Sequence, residues 1–300
     1  MTLTARPVAS GPGWCVQDFV CTAGPHDRPY EERHEAVSIS AVTAGTFRYR
    51  TPAGAAMMAP GALLLGNRGQ CYECGHEHGS GDRCLSFQFA PDCFEAVAAA
   101  VPGVRRAHFN TPQLPPMPLL LPLVAAAEAA RDGADTTLFA ELALRLAGAA
   151  LATLSGTAPG TRAPTAHEAR RIADVVRLIA ADPGEQLALA DLASKAAMSP
   201  YHFLRTFRAV VGMTPHQYVL RTRLHRAAVR LRRSDDPVSA IAFDAGFNDL
   251  STFNRRFRRV LGASPTAWRA AGSARQRAAA HQELVNGAGA LPALADRPHH

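Results

Sequence analysis

The sequence predicts an α+β protein in which a strand-rich first half precedes an all-helical second half. Two patterns predict this division. Short runs of β-favouring residues alternate with turns rich in Gly and Pro over residues 36–90. Over residues 189–268, helical patterns recur as an imperfect repeat whose copies are offset by 49 or 50 positions. Each copy reads as a helix, a tight turn and a second helix, so we expect two helix-turn-helix units.

The first half contains four strand candidates, at residues 36–42, 46–50, 63–65 and 84–89. Short strands joined by glycine-rich turns are typical of a β-sandwich or a β-barrel, and we expect a barrel here. Two helices rich in Ala and Leu follow, at residues 119–131 and 136–154. Because these helices have little polar surface, they should pack on the barrel or on another subunit.

Length and composition set the domain organisation. A chain of 300 residues can bury two cores, and 47% hydrophobic with 19% charged residues is typical of a globular rather than a disordered protein. A stretch rich in Gly, Pro and Thr near residue 160 indicates the domain boundary. The predicted parts are a first domain over residues 1–155, a linker over 156–166, a helical domain over 167–271 and a disordered tail over 272–300.

Positive charge is concentrated in the helical half. Residues 165–270 contain 17 Lys or Arg against 9 Asp or Glu, a charge of +8, whereas residues 1–164 carry −2. Such an excess is expected of a segment that neutralises phosphates, although a solvated basic surface gives the same pattern. The chain opens with no apolar targeting segment, and its most apolar stretch, 119–130, is too short to span a bilayer. We therefore expect a cytoplasmic protein with reduced cysteines and no membrane partner.

The two copies of the repeat agree at apolar, glycine and proline positions together. In the first copy, Ser199 is a candidate N-cap, Pro200 suits the first helical position and Gly212 ends the helix. In the second copy, the corresponding helix ends at Gly262, and an arginine-rich helix over residues 217–233 links the copies. The matched pairs are Leu192/Ile241, Ala193/Ala242, Ala197/Gly246, Phe203/Phe253, Arg205/Arg255, Phe207/Phe257, Gly212/Gly262, Pro215/Pro265 and Tyr218/Trp268.

The second helix of each copy should present polar side chains opposite its phenylalanine pair, which is spaced i,i+4 to face the core. A major groove admits one α-helix, and Arg or Asn near its N-terminus can bind base edges. A single exposed arginine is more often only solvated, but Arg205 and Arg255 occupy equivalent places in a duplicated unit. The predicted DNA-contacting residues are Tyr201, His202, Arg205, Arg208, Ser251, Asn254, Arg255 and Arg258.

A family resemblance rests on Leu192, Ala193, Ser199, the run 203–207, Gly212, Pro215, Tyr218, Ile241, Ala242, the run 245–247, Phe253, Arg255, Phe257, Gly262 and Pro265. Through these positions, residues 170–270 resemble the DNA-binding domain of AraC/XylS transcription regulators. The resemblance implies a seven-helix domain that reads two successive major-groove segments of promoter DNA. It also implies a homodimeric regulator that contacts RNA polymerase. We expect an activator, although the sequence does not distinguish activation from repression. Leu250 and Ser251 depart from the family pattern, because longer polar residues often stand there.

A second set of residues points to metal chemistry. Cys71, Cys74, His76, His78 and Cys84 are soft or borderline ligands within fourteen residues, and they suit zinc or another late transition metal. On a strand, Cys74, His76 and His78 project to one face. A five-residue loop would place Cys84 beside His78, and a four-residue loop would place it on the opposite face. We predict a metal site of Cys74, His76, His78 and Cys84, with Cys71 as a further candidate; alternatively these residues only line a pocket.

Residues 30–95 also resemble the cupin-like effector domain that many AraC-type regulators carry before their helices. His76 and His78 are similar to the cupin metal motif, and Asp82 lies nearest the place of the missing cupin glutamate. The resemblance implies an N-terminal effector and dimerisation domain that binds a small molecule or a metal. Three lone cysteines are expected only to pack in the core: Cys15, Cys21 and Cys93. His34 is a weaker candidate for lining a pocket.

Two other functions compete with a ligand-controlled regulator. One is a metal-dependent cupin enzyme, or a thiol-based repair protein, fused to a DNA-binding domain. We expect no enzyme, because the sequence offers no convincing general base or set of residues to position a substrate. The other is a redox switch, for which Cys74 with Cys84 is a better disulfide pair than Cys71 with Cys74, since three residues along one strand is awkward geometry.

Overall fold

The computed structural model describes residues 3–76, 81–133, 136–156, 163–182, 184 and 187–271. The predictions for His78, for most of the linker and for the tail over 272–300 lie outside the described residues. By compactness, the chain divides into two units. The first unit comprises Met1–Val176 and Ala188–His216, and the second comprises Arg177–Leu187 and the chain from Gln217 on.

The first half consists of two antiparallel sheets. A six-stranded sheet has the order β1-β2-β9-β4-β7-β10, and a four-stranded sheet has the order β3-β8-β5-β6. We call the two sheets together the barrel. Their strands are β1 (Leu3–Gly11), β2 (Trp14–Cys21), β3 (Glu31–Arg33), β4 (Val37–Gly45), β5 (Phe47–Thr51), β6 (Gly54–Met58), β7 (Leu63–Gly66), β8 (Cys71–Gly75), β9 (Asp82–Phe89) and β10 (Gln113–Leu114).

The central strands of the six-stranded sheet, β4, β7 and β9, are buried on both faces, and their side chains alternate between these faces. On β9, Leu85 and Phe87 belong to a core shared with the helices of the first half. Cys84, between Arg83 and Leu85, faces the other way, into a smaller core with Phe47 and Tyr49 of the four-stranded sheet. The barrel interior also contains polar groups, such as Ser40 and Ser86.

Helices cover the outer face of the six-stranded sheet. They are α1 (Pro91–Ala99), α2 (Leu121–Asp132) and, after a 3-10 turn at Thr136–Leu138, α3 (Phe139–Leu154). By length and composition alone, Thr136–Leu154 could cross a membrane, but 61% of its most apolar window is buried inside the protein. The two predicted Ala/Leu-rich helices therefore pack on the barrel, which was one of the two sequence expectations.

The second half of the described chain is helical. The predicted helix, turn and helix appear in both copies, with ends within a few residues of the predicted ones. The helices are α4 (Ala166–Ala181), α5 (Leu189–Lys195), α6 (Pro200–Val211), α7 (Pro215–Arg233), α8 (Val238–Asp244) and α9 (Leu250–Leu261), followed by a helical segment over residues 265–271. The predicted fold class, a sheet-rich first half before an all-helical second half, is thus confirmed.

The helix ends of the repeat follow from local chemistry. Ser199 caps α6 by accepting a hydrogen bond from His202 N at 3.4 Å, and Asp249 caps α9 by accepting one from Thr252 N at 2.7 Å. Gly212 and Gly262 end these helices with φ of 80° and 79°, the left-handed conformation that glycine adopts without strain. These residues place α6 and α9 as equivalent second helices.

An arginine supports the tight turn in each copy. At the turn of the first copy, Ala197 has a φ of 49°, and Gly246 has a φ of 82° at the matched position of the second. Arg171 of α4 donates to Ala197 O at 3.1 Å, and Arg223 of α7 donates to Gly246 O at 2.9 Å. The repeat therefore extends to a side chain of the preceding helix, which the sequence comparison of the two copies did not include.

Candidate nucleic-acid interface and cysteine–histidine cluster

The first predicted DNA-contacting helix, α6, is fixed by its phenylalanines. Phe203 and Phe207 are fully buried with ring centroids 5.5 Å apart, as their i,i+4 spacing predicts. Among the predicted contact residues of this helix, Arg208 is exposed. His202 is half-buried, and its Nε2 lies 2.9 Å from Glu168 Oε1 of α4.

The face of α6 that carries Tyr201, Leu204 and Arg205 packs on helices of the first half, within the first unit. Leu204 is 3% exposed and belongs to the core that contains α3, and Tyr201 packs on the same core. Tyr201 lies over Gly148 of α3, where a methyl group would collide with the tyrosine hydroxyl. Arg205 Nη1 donates to Ala100 O, just beyond α1, at 2.5 Å. This face of α6, which we call the covered face, is therefore occupied by protein.

A buried carboxylate makes a second connection to α3. Glu141 is 2% exposed and accepts a hydrogen bond from His216 N at 2.6 Å. Burial raises the pKa of Glu141, whereas hydrogen bonds from Thr214 and His216 oppose this rise. His216 Nε2 also lies 3.0 Å from Thr137 Oγ1. These bonds fix the segment that follows α6 on the end of α3.

The second predicted DNA-contacting helix, α9, presents its polar side to solvent. Phe253 and Phe257 are fully buried with ring centroids 5.4 Å apart, and they anchor the opposite side in the core of the second unit. Asp249 caps the helix, and its hydrogen bond from Thr252 N lowers the pKa of the carboxyl. The predicted contact residues on this helix are all exposed: Ser251, Asn254, Arg255 and Arg258.

Part of the basic charge of α7 serves the fold of the second unit. Arg226 donates to the backbone carbonyls of Ala180 and Ala181. Arg230 pairs with Asp236 at 2.8 Å and with Asp244 at 2.6 Å. Arg223 binds the turn carbonyl of Gly246, and Arg232 lies over the ring of Trp268, 4.1 Å from its centroid. At least four of the six arginines in the predicted helix over 217–233 therefore have protein partners. The positive excess of this region is therefore not all available to phosphates.

Two residues of the predicted cysteine–histidine set, His76 and Cys84, meet Asp82 at one end of the barrel interior. His76 Nε2 lies 2.6 Å from Asp82 Oδ2, and Cys84 Sγ lies 3.5 Å from Asp82 Oδ1. Ligand atoms of Cys21, His76 and Asp82 all lie within 4.8 Å of one another. Burial raises the pKa of the Cys84 and Cys74 thiols, and the nearby Asp82 carboxylate raises both further.

Two details of this cluster differ from the sequence expectation. The two strands around residues 77–81 were predicted to be neighbours in one sheet, which is wrong, because β9 pairs with β2 and β4 whereas β8 pairs with β3 and β5. Cys84 reaches the cluster across the space between the two sheets. Cys21 was expected only to pack, but it is the cross-strand partner of Asp82. Cys71 has the opposite strand parity from Cys74 and His76.

His34 occupies another part of the barrel interior. Its Nε2 lies 2.7 Å from Tyr49 Oη and its Nδ1 lies 3.1 Å from Ser38 Oγ, while its ring stacks on Tyr72 with centroids 4.2 Å apart. Burial lowers the pKa of His34 to about 4. The ring is therefore neutral near pH 7 and acts as a hydrogen-bonding group of the core.

We expect His34 to make the first unit lose stability as the pH falls. In the unfolded chain the imidazole takes up a proton near pH 6.5, whereas in the folded chain its pKa is about 4, so protons favour unfolding between these values. The free energy of unfolding should fall by roughly 3 kcal/mol over this range. Urea unfolding at several pH values should show the loss in the wild type and a smaller one in His34→Gln. Identical pH slopes for both proteins would contradict this assignment.

Comparison with known proteins identifies the family to which this chain belongs. Residues 192–271 match the family model described as a helix-turn-helix domain. A putative AraC-like transcription regulator of Streptomyces antibioticus is 35% identical over 98 residues, which cover 33% of this chain and 32% of that protein. The transposon Tn10 TetD protein of Escherichia coli is 34% identical over 98 residues, which cover 33% of this chain and 71% of that protein. This chain belongs to the AraC family.

The similarity to AraC-family proteins is concentrated in the helical half. The match spans about a third of the length of the first curated relatives. For example, an HTH-type transcriptional regulator of Mycobacterium tuberculosis is 43% identical over 83 residues, which cover 28% of this chain and 32% of that protein. Among solved structures, the DNA-binding domain of AdpA in complex with a target DNA is 36% identical and covers 36% of this chain and 96% of that chain, with a TM-score of 0.35.

Proposed function

We propose that this chain is a transcription regulator that binds promoter DNA sequence-specifically through both helix-turn-helix units. The observation that carries the proposal is α9, a phenylalanine-anchored helix whose exposed first turns present Ser251, Asn254 and Arg255. Asn and Arg at such positions match the hydrogen-bonding edges of adenine and guanine. Family membership and the charge of +8 over residues 165–270 support the same function.

The first half controls this activity by covering α6. Tyr201 and Arg205, two residues predicted to contact bases, instead contact Gly148 and Ala100. The covered face of α6 cannot contact the first half and enter a DNA groove at the same time. We therefore infer that α6 reads DNA only after it separates from α1 and α3. An effector bound in the barrel would act by favouring the separated state, because a ligand shifts an equilibrium only through its different affinities for the two states.

The remaining partners follow from this role. The regulator acts as a homodimer in the cytoplasm, where it activates transcription through contact with RNA polymerase and responds to a small-molecule or metal effector. No membrane partner and no enzymatic activity are part of the proposal. The relatives from Mycobacterium tuberculosis and Streptomyces antibioticus bear the names of transcription regulators, which supports this choice.

Electrophoretic mobility shifts with the DNA upstream of its own gene test the proposal. The wild type should bind that DNA more tightly than random DNA at moderate salt. Arg255→Ala should weaken specific binding by about 1–3 kcal/mol and relax the preference at one base pair. Arg259→Ala is the matched control, since Arg259 is an exposed arginine one turn further along α9. It should weaken specific and random DNA alike, and equal binding of both DNAs by the wild type would refute sequence-specific recognition.

A further inference from the structure

Groups that can bind a metal converge at one end of the barrel from three strands of two sheets. Cys21 ends β2, His76 directly follows β8, and Asp82 and Cys84 lie at the start of β9. Pairing of β2 with β9 places Cys21 opposite Asp82, and Cys84 lies two residues further along the same face. Asp82 is the centre of this arrangement, because His76 and Cys84 both contact its carboxylate.

We propose that Cys21, His76, Asp82 and Cys84 bind one divalent late transition-metal ion of the zinc type. We call these four residues the barrel-end site. The set differs from the one predicted by sequence spacing, because Cys21 and Asp82 enter it through strand pairing.

The distances in the barrel-end site suit a small tetrahedral ion. Zinc bonds of about 2.0–2.3 Å place the ligand atoms of a tetrahedron roughly 3.3–3.8 Å apart. The Cys84 Sγ to Asp82 Oδ1 distance is 3.5 Å, and ligand atoms of Cys21, His76 and Asp82 lie within 4.8 Å of one another. The 2.6 Å separation of His76 Nε2 and Asp82 Oδ2 would lengthen by less than an ångström. Small side-chain adjustments can therefore bring Cys21, His76 and Asp82 to one ion. Cys84 lies outside this mutually close set and would complete the coordination by turning towards the ion from its contact with Asp82.

The chemistry of the ligands favours such an ion over hydrogen bonding alone. A thiol is a weak hydrogen-bond donor, so two thiols around one carboxylate contribute little as hydrogen bonds. Two sulfurs, an imidazole and a carboxylate instead form a mixed soft and borderline set, which selects zinc-like ions over magnesium or calcium. The side chains of His76 and Asp82 are only 2% and 9% exposed, so the ion would be shielded from water.

Four protein ligands also indicate the role of the ion. A catalytic zinc keeps a position open for water or substrate, whereas a structural or regulatory zinc has four protein ligands. Because the ligands come from β2, β8 and β9, the ion would join the two sheets of the barrel. We therefore expect binding to stabilise the barrel against unfolding.

Cobalt(II) titration of the full chain tests the proposal without DNA. The protein is purified anaerobically with reductant, treated with a chelator and titrated with Co²⁺. The ultraviolet and visible absorption of bound Co²⁺ reveals the type and the number of its ligands. We expect about one ion per chain, with sulfur-to-cobalt charge-transfer absorption and the strong visible bands of tetrahedral coordination. The same ion, or Zn²⁺, should raise the unfolding midpoint by several degrees. Binding by surface histidines would lack the charge-transfer band and would refute the proposal, as would no binding.

Variants separate the barrel-end site from other thiols. Cys21→Ser and His76→Gln should each lower Co²⁺ affinity at least tenfold, and Cys21→Ser should also weaken the charge-transfer band. Cys15→Ser is the matched control, because Cys15 lies on β2 with the same strand parity but is paired with Gln88 rather than Asp82. It should bind Co²⁺ as the wild type does. Wild-type affinity in folded Cys21→Ser and His76→Gln would overturn the proposal. Near-ultraviolet circular dichroism establishes that the variants are folded.

Discussion

Gly148→Ala is expected to raise the apparent affinity of the full chain for its DNA by roughly five- to a hundredfold. The added methyl group would collide with the hydroxyl of Tyr201, which belongs to the covered face of α6. Overpacking of this kind costs about 1–3 kcal/mol. Because the collision occurs only when α6 lies on α3, the cost falls on the covered state and shifts the population towards the state that can read DNA.

The change is informative because Gly148 itself is not a predicted DNA contact. Substitution of Tyr201 would disturb the covered face and the predicted contact together, so its result could not be assigned to either. Gly24→Ala is the control: nothing lies within 4 Å of the position of its added methyl group. Fluorescence anisotropy with labelled operator DNA should show tighter binding for Gly148→Ala and no change for Gly24→Ala. Unchanged affinity in folded Gly148→Ala would show that the covered state does not limit DNA binding.

The helical half could be predicted closely because its signals are local. A cap at Ser199 and a proline at the first helical position specify the start of α6, and a glycine specifies the end of α6 and of α9. Because the pattern is duplicated, each matched position in one copy could be checked against its equivalent in the other. The exposed contact residues of α9 follow directly from the burial of Phe253 and Phe257.

The first half was predicted less completely because its pairings are distant in the sequence. Of the ten strands in the described residues, only β4, β5, β7 and β9 were among the four strand candidates. The first strand, β1, is mostly exposed and contains Pro7, so it gives no alternating pattern. Cys21 and Asp82 are paired across sixty-one residues, and nothing in local spacing relates them. The covered face depends in the same way on tertiary contact, since a glycine in an Ala-rich helix gives no sign that a tyrosine packs over it.

Phe257→Ala is expected to destabilise the second unit by about 3–5 kcal/mol and to abolish specific DNA binding. Phe257 is fully buried, and its ring centroid lies 5.4 Å from that of Phe253 and 6.1 Å from that of Trp268. Because domains have only about 5–15 kcal/mol of stability, the loss is a large share of what holds this small core together. Thermal unfolding followed by circular dichroism should show a transition lowered by more than about 10 °C.

Phe243→Ala makes the matched comparison within the same unit. Phe243 lies on α8 and is 54% exposed, so its removal should change stability by less than about 0.5 kcal/mol. If both substitutions lowered the transition equally, the burial of Phe257 would not explain its effect. If Phe257→Ala abolished DNA binding while the first unit kept its own transition, recognition would depend on the second unit even though α6 remains folded. That outcome follows from the two copies having separate cores, since Leu204 of α6 belongs to the core with α3 and Phe257 of α9 to the core with α7.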